Sequence, residues 1–158
     1  MNQKIFKKKK SSKPMTFLKN LECTECGKTF SADKVQTICQ DCNAALLPKY
    51  DLEGIKDSLD KKDLRSRYPD MWRYREFLPV KNEENVVSLG EGYTPINRLE
   101  HLGGEIGLEN LYLKDGGILP TGTFKSRGLS MGVSKAKEFG IKKISIPSAG
   151  NAAGALAA

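Results

Sequence analysis

The second half of this sequence predicts an α/β fold of the doubly wound, parallel-sheet class, and the first half predicts a small cysteine-bearing module ahead of it. Two observations carry the reading. Over residues 85–158 the apolar pattern runs strand, loop, helix, strand, loop, helix, an order that builds parallel strands joined by crossover helices. Within residues 21–47 lie all four cysteines, grouped as two C-x-x-C pairs. Composition excludes other classes: 39% hydrophobic and 28% charged residues belong to a globular chain, and no apolar run approaches the roughly 20 residues that span a bilayer. The basic N-terminus lacks the apolar stretch of a secretion signal, so a cytoplasmic protein with no membrane partner is expected.

Residues 1–20 read as a basic tail. Lys4, Lys7, Lys8, Lys9, Lys10, Lys13 and Lys19 precede the first acidic residue, Glu22, and match in number the whole net charge of +7. The body is therefore neutral, and the tail reads as a disordered, solvated end; attraction to nucleic acid or a membrane surface is the alternative. Residues 21–47 hold Cys23-Thr-Glu-Cys26 and Cys39-Gln-Asp-Cys42, with twelve residues between the pairs. Two residues between ligands let one turn aim both thiolates at a tetrahedral ion, and Gly27 and Asn43 follow the pairs where such knuckles need left-handed backbone. No cysteine is spare, which favours one structural zinc ion on Cys23, Cys26, Cys39 and Cys42 over disulfides, a redox dithiol or coincidence. So small a zinc ribbon folds poorly without its metal.

Residues 48–84 form a connecting segment rich in charges and aromatics, with a weak helical pattern over 51–64 that Pro69 interrupts. In residues 85–158 the spacing predicts a short helix over 96–106, a strand over 110–114 and a loop bearing Gly116, Gly117, Pro120 and Gly122. A longer helix follows, in which Gly128, Leu129, Gly132, Val133, Ala136 and Phe139 share a stripe expected to be buried, the two glycines allowing close approach to a sheet. Gly140 stops that helix. Residues 142–147 read as a buried strand through Ile144 and Ile146, and Ser148-Ala-Gly-Asn151 opens an Ala-rich helix. Two strands and two helices are too few to cover both faces of a doubly wound sheet, so this part reads as the first portion of a larger fold.

The loop Pro120-Thr-Gly122-Thr-Phe124-Lys125-Ser-Arg127-Gly128 carries the chemistry. Gly117 and Gly122 have the spacing of a nucleotide-phosphate loop, but that motif needs lysine directly after the second glycine, and Thr123 and Phe124 intervene. Lys125 instead starts a helix, where the macrodipole disfavours an ammonium by about 0.3–1 kcal/mol. That position suits a lysine required as a neutral amine nucleophile better than one with a structural task, and a merely exposed lysine is the alternative on the residues alone.

Pro-Thr-Gly-Thr-Phe-Lys-x-Arg-Gly closely resembles the lysine motif of fold-type II pyridoxal-phosphate enzymes, threonine synthases in particular. Ser88-Leu-Gly-Glu-Gly92-Tyr-Thr-Pro95 resembles their Gly-Glu-Gly-x-Thr-Pro motif, Met71-Trp-Arg-Tyr-Arg-Glu-Phe-Leu-Pro79 the segment joining the ribbon to the catalytic fold, and Pro147-Ser-Ala-Gly-Asn151 the Ser-x-Gly-Asn loop. The chain departs from the family's usual residues at Gly116 or Gly117, Leu119, Ser126 and Tyr93, where the family often has Gly. The resemblance implies that residues 85–158 are the first part of a fold-type II domain that binds pyridoxal 5'-phosphate. It implies that Lys125 is catalytic, bonding the cofactor and moving substrate protons, while Phe124 packs beside the cofactor and Asn151 bonds its ring oxygen. The backbone of Ser148, Ala149 and Gly150 would receive the substrate carboxylate; on the residues alone, Ser148 and Asn151 read as helix caps. The implied reaction converts O-phospho-L-homoserine and water to L-threonine and phosphate, with cysteate synthase or another fold-type II lyase as the alternative. The family's Gly-rich phosphate loop and pyridine-nitrogen partner belong to a later part of the enzyme, the partner expected for this fragment, which alone should be inactive. A nucleic-acid-binding zinc-ribbon module and an inactive truncated reading frame are the rival readings.

Overall fold

The computed structural model describes residues 14–158; most of the expected basic tail lies outside the described residues. Strand β1 (Leu18–Cys23) begins inside the range assigned to that tail, so Leu18, Lys19 and Asn20 are ribbon instead. β1 is the middle of a three-stranded antiparallel sheet, flanked by β2 (Thr29–Phe30) and β3 (Leu46–Tyr50). The register sets Cys23 opposite Leu46 and Glu22 opposite both Thr29 and Leu47. Pro48 is tolerated because β3 is an edge strand.

The weak helical pattern after Tyr50 resolves into two short helices, α1 (Leu52–Ser58) and α2 (Lys61–Ser66). Each is opened by an aspartate: Asp51 accepts from the Gly54 N–H at 3.3 Å and Asp60 from the Lys62 N–H at 3.0 Å. A 3-10 segment, Met71–Phe77, follows and joins the ribbon through the Phe17 N–H, which donates to the Glu76 carbonyl at 3.1 Å. Arg67 forks onto Glu76 with two bonds of 2.7 Å in a pair that is nearly out of solvent. A second 3-10 turn, Glu83–Asn85, leads into the other half.

That half departs from the expected parallel sheet. The range 96–106 is not one helix: Ile96–Arg98 is strand β4 and Glu100–Glu105 is helix α3. β4 pairs antiparallel with β5 (Tyr112–Lys114), Ile96 opposite Lys114. The ladder groups of β5 are thus taken by residues the periodicity had assigned to a helix. Residues 142–147 form no strand, because no other strand among the described residues presents them a ladder, and Ile144 is exposed. The parallel, doubly wound sheet is not formed by these residues.

Helix α4 (Lys125–Glu138) stands where its pattern predicts and ends at Gly140, whose φ is +71°. Its orientation differs from the prediction, although Leu129, Val133, Ala136 and Phe139 of the expected stripe are half-buried. Gly128 and Gly132 face open space, and the buried positions are Ser126, Ser130 and Ser134. The serines turn inward because polar groups wait there. Trp72 donates its indole N–H to the Ser130 hydroxyl at 3.2 Å, and Ser130 donates to the Val87 carbonyl at 2.6 Å. The C-terminal part of α4 is bound in the same manner: Lys135 donates to the Pro79 carbonyl at 3.0 Å, Lys137 to the Glu84 carbonyl at 2.7 Å, and Glu138 accepts from the Lys81 N–H at 2.6 Å. Helix α5 (Asn151–Ala157) packs against α4. Among the described residues more polar than apolar side chains are buried, so hydrogen bonds organise this interior as much as apolar contact does.

Candidate functional site

Two constellations stand out, one at each end of the chain. In the ribbon, the sulfurs of Cys23, Cys26, Cys39 and Cys42 lie within 4.8 Å of one another. The near pairs are Cys23–Cys42 at 3.3 Å and Cys26–Cys39 at 3.7 Å. A disulfide would need about 2.05 Å; a tetrahedral zinc with bonds of about 2.3 Å sets sulfurs roughly 3.8 Å apart. The four residues therefore fit one all-sulfur ion. Each pair sits on the same kind of turn: the Gly27 N–H donates to the Cys23 carbonyl and the Asn43 N–H to the Cys39 carbonyl, at 3.2 and 3.0 Å. Gly27 and Asn43 have φ of +70° and +58°, the left-handed backbone expected of them. One ligand of each pair, Cys23 and Cys39, is buried and the other exposed, so the core anchors both knuckles. The Cys26 N–H, 3.5 Å from the Cys23 sulfur, is the chief cause that lowers the Cys23 thiol to about 6. Its hydrogen bond with Cys23 pushes Cys42 up to about 12.

At the other end, Gly122 takes φ +67° and donates its N–H to the Leu119 carbonyl at 2.7 Å, turning the chain into α4. Leu119 anchors this loop at 3% exposure. The Thr123 hydroxyl accepts from the Lys125 N–H at 3.4 Å, and the Thr123 carbonyl accepts from Ser126. Lys125 is the first residue of α4; its amine stands 4.6 Å from the centroid of the exposed Phe124 ring. An aldehyde cofactor bonded through a lysine needs an amine that the ligand can approach, and Lys125, exposed at a helix start, meets that need. Beside it, Arg127 donates to the Thr94 hydroxyl at 3.4 Å and Lys114 to the Thr94 carbonyl, holding the Gly-Glu-Gly-Tyr-Thr-Pro loop against both β5 and α4. Glu91 of that loop is buried, its carboxylate accepting from the Ser88 hydroxyl at 2.7 Å and from the Leu89 N–H.

The third predicted group lies at the start of α5. The Ser148 hydroxyl accepts from the Gly150 N–H at 3.3 Å, Ala149 and Gly150 are exposed, and Asn151 is the exposed first residue of the helix. No side chain caps α5, so the capping role that Ser148 and Asn151 suggest from sequence is not taken up. Lys125 and Asn151 begin two helices that pack on each other, and no hydrogen bond among the described residues joins the two loops. Sequence reasoning missed Thr94, Thr123, Ser130 and Ser134. The spacing of Ser126, Ser130 and Ser134 by four was the available signal, since it places all three on one helix face.

The comparisons agree with the motifs. Residues 87–158 match the family model of pyridoxal-phosphate dependent enzymes. The chain is 44% identical over 136 residues to a threonine synthase of Methanocaldococcus jannaschii, covering 86% of this chain and 33% of that one. It is 40% identical over 138 residues to a threonine synthase of Methanosarcina acetivorans, covering 87% and 33%. With a threonine synthase of Halalkalibacterium halodurans it shares 49% over 85 residues, which is 54% of this chain and 24% of the other. The chain spans about a third of the length of the first two. From Val87 onward the chain is similar to the pyridoxal-phosphate dependent enzymes, and over most of its length it is similar to threonine synthases.

Proposed function

We propose that this chain supplies the cofactor lysine and the metal-bound ribbon of a threonine synthase-like lyase, converting O-phospho-L-homoserine and water to L-threonine and phosphate. The observation that carries the reading is Lys125, exposed at the first position of α4 within Pro-Thr-Gly-Thr-Phe-Lys-x-Arg-Gly. Pyridoxal phosphate, when bound, supplies the electron sink for breaking bonds next to the substrate amine. Lys125 would hold it and carry protons to and from the substrate carbons, and Phe124 would shield one face from water. Asn151 would hydrogen-bond the ring oxygen, and the N–H groups of Ser148, Ala149 and Gly150 would receive the substrate carboxylate. Cys23, Cys26, Cys39 and Cys42 would hold a zinc ion closed to water and hence structural. We assign turnover to the full length that the relatives have, and a cytoplasmic location.

The test is to mix the zinc-loaded chain with pyridoxal phosphate, reduce with borohydride and map the labelled lysines. Lys125 should be labelled above the other lysines, and the chain alone should release no phosphate from O-phosphohomoserine. Label spread evenly over the lysines would count against the cofactor role, and phosphate release would show that the residues sufficient for turnover are all here.

A further inference from the structure

The hydroxyl groups along α4 carry an inference that deepens, and rests on, the reading of Lys125 as the cofactor lysine. A helix is usually held in register by apolar side chains fitted between neighbours. The inward positions of α4 are instead Ser126, Ser130 and Ser134, at 2%, 7% and 0% exposure. Two of them grip one residue. The Ser134 hydroxyl accepts from the Val87 N–H at 2.8 Å, and the Ser130 hydroxyl donates to the Val87 carbonyl at 2.6 Å. Both backbone groups of Val87 are thereby satisfied, as a neighbouring strand would satisfy them. Ser134 spends its own proton on the Ser130 carbonyl at 2.7 Å, and Ser130 accepts from the Trp72 indole at 3.2 Å. The result is a directed relay from the Trp72 N–H through Ser130 to the Val87 carbonyl, in which each bond polarises the next.

Val87 leads directly into Ser88, Glu91 and Thr94, and Thr94 is tied to α4 again through Arg127 at 3.4 Å. The loop is thus fastened to α4 at Ser134, at Ser130 about one turn nearer the N-terminus, and at Arg127 nearly another turn beyond. A slip of α4 by one residue shifts it by about 1.5 Å and turns it by roughly 100°, which breaks every one of these bonds at once. Apolar packing would yield gradually; this arrangement has one register. We propose that Ser130 and Ser134, with Trp72, are positioning residues: they lock α4 on Val87 and so set where Lys125 stands against the Gly-Glu-Gly-Tyr-Thr-Pro loop.

The experiment compares the zinc-loaded chain with its Ser130→Ala, Ser134→Ala and Ser130→Thr variants, helix content being checked by circular dichroism. Two readouts are taken: exchange of the Val87 amide by NMR, and the share of borohydride-trapped pyridoxal label on Lys125 relative to the other lysines. In the native chain Val87 should be protected and Lys125 preferred. Each alanine variant should speed Val87 exchange about tenfold and lower the Lys125 share to that of the surface lysines at unchanged helix content. Ser130→Thr, which keeps the hydroxyl, should restore both. Fast Val87 exchange in the native chain overturns the clamp, as does a Lys125 share that stays constant while exchange accelerates. Trp72→Phe guards against a threonine too large for the site: it removes the indole donor and part of the buried ring but neither hydrogen bond to Val87, so it should speed Val87 exchange less than Ser130→Ala does, an equal or greater acceleration speaking against the Val87 grip. Should native Lys125 show no preference while Val87 is protected in a serine-dependent way, the clamp stands and the cofactor reading fails.

Discussion

At the scale of single residues, Tyr93 is the informative departure from the family's usual glycine. Its φ is +46°, a left-handed conformation that costs a residue with a Cβ about 1 kcal/mol. The ring in return lies 4.9 Å from the Arg73 guanidinium, an attraction of about 0.5–1 kcal/mol. The two nearly cancel. Tyr93→Gly should therefore leave stability within about 1 kcal/mol of the native chain, whereas Tyr93→Ala keeps the strain, loses the ring and should fall below the glycine variant by about 1 kcal/mol. Urea unfolding of both variants checks this, and an alanine variant as stable as the glycine one would contradict it. Gly92, just before, has a different constraint. A Cβ there would meet the Asp70 Cα at 2.6 Å, backbone that cannot swing aside. Gly92→Ala should destabilise by about 1–3 kcal/mol, read from the same unfolding curves.

At the scale of elements, the ribbon and the connecting segment are joined through Arg67 and Glu76. Burial pushes the Glu76 carboxyl up, but the forked hydrogen bonds and charge of Arg67 outweigh it and hold the group below its ordinary 4.5. Glu138 is held low in the same way by Lys135 and by the Lys81 and Asn82 N–H groups. A depressed folded value means that their stabilisation is complete above about pH 4.5 and is lost as pH falls through the lower, folded values. Glu76→Gln should cost about 3 kcal/mol near neutrality, by leaving Arg67 buried without its counter-charge, and should flatten the acid side of the stability profile. Equal steepness below pH 4.5 in variant and native chain would refute this cause. The same elements show what the sequence could disclose. The cysteine knuckles were legible because two residues between ligands and a left-handed residue after them is a local geometry. The start and stop of α4 were legible for the same reason, in Gly122, Lys125 and Gly140. The inward face of α4 was legible only as the four-residue spacing of Ser126, Ser130 and Ser134; that it turns inward was not, because its partners include the N–H and carbonyl of Val87, and backbone groups leave no letter in a sequence. Strand pairing failed likewise: whether β5 takes β4 or residues 142–147 depends on residues far along the chain, and hydropathy at 96–106 fits a helix and a strand-plus-helix equally.

At the scale of the whole molecule, the ribbon lies against the C-terminal part of α4, which links the metal site to the half that bears Lys125. Leu18, Leu21, Ala32 and Val35 of the ribbon line a cavity of about 240 Å³ together with Pro79, Lys135 and Phe139. Asp33, on the loop between the two cysteine pairs, is paired with Lys81, next to the N–H that Glu138 caps. Besides that pair the loop is held by the two-residue strand β2, the Lys28–Asp41 ion pair at 2.5 Å and the bridge between Ile38 and Ala45, the last two beside the cysteines. Its shape depends on the ends that Cys26 and Cys39 fix, and hence on the ion that the four sulfurs fit. Removing zinc with a chelator should therefore free the loop, expose the apolar cavity and loosen the C-terminal part of α4, while β4 and β5, which form a sheet separate from that of the ribbon, keep their pairing. Amide exchange followed with and without chelator measures this. Protection should fall first over β1 to β3, next over residues 134–139, and least over 96–98 and 112–114. Adding zinc back should reverse the order. Cys39→Ser should reproduce the chelated pattern with metal present, because a buried ligand of one pair is lost. If α4 kept full protection while the ribbon lost all of its own, the two parts would be stable independently, and the contacts at Asp33, Pro79 and Phe139 would carry no coupling.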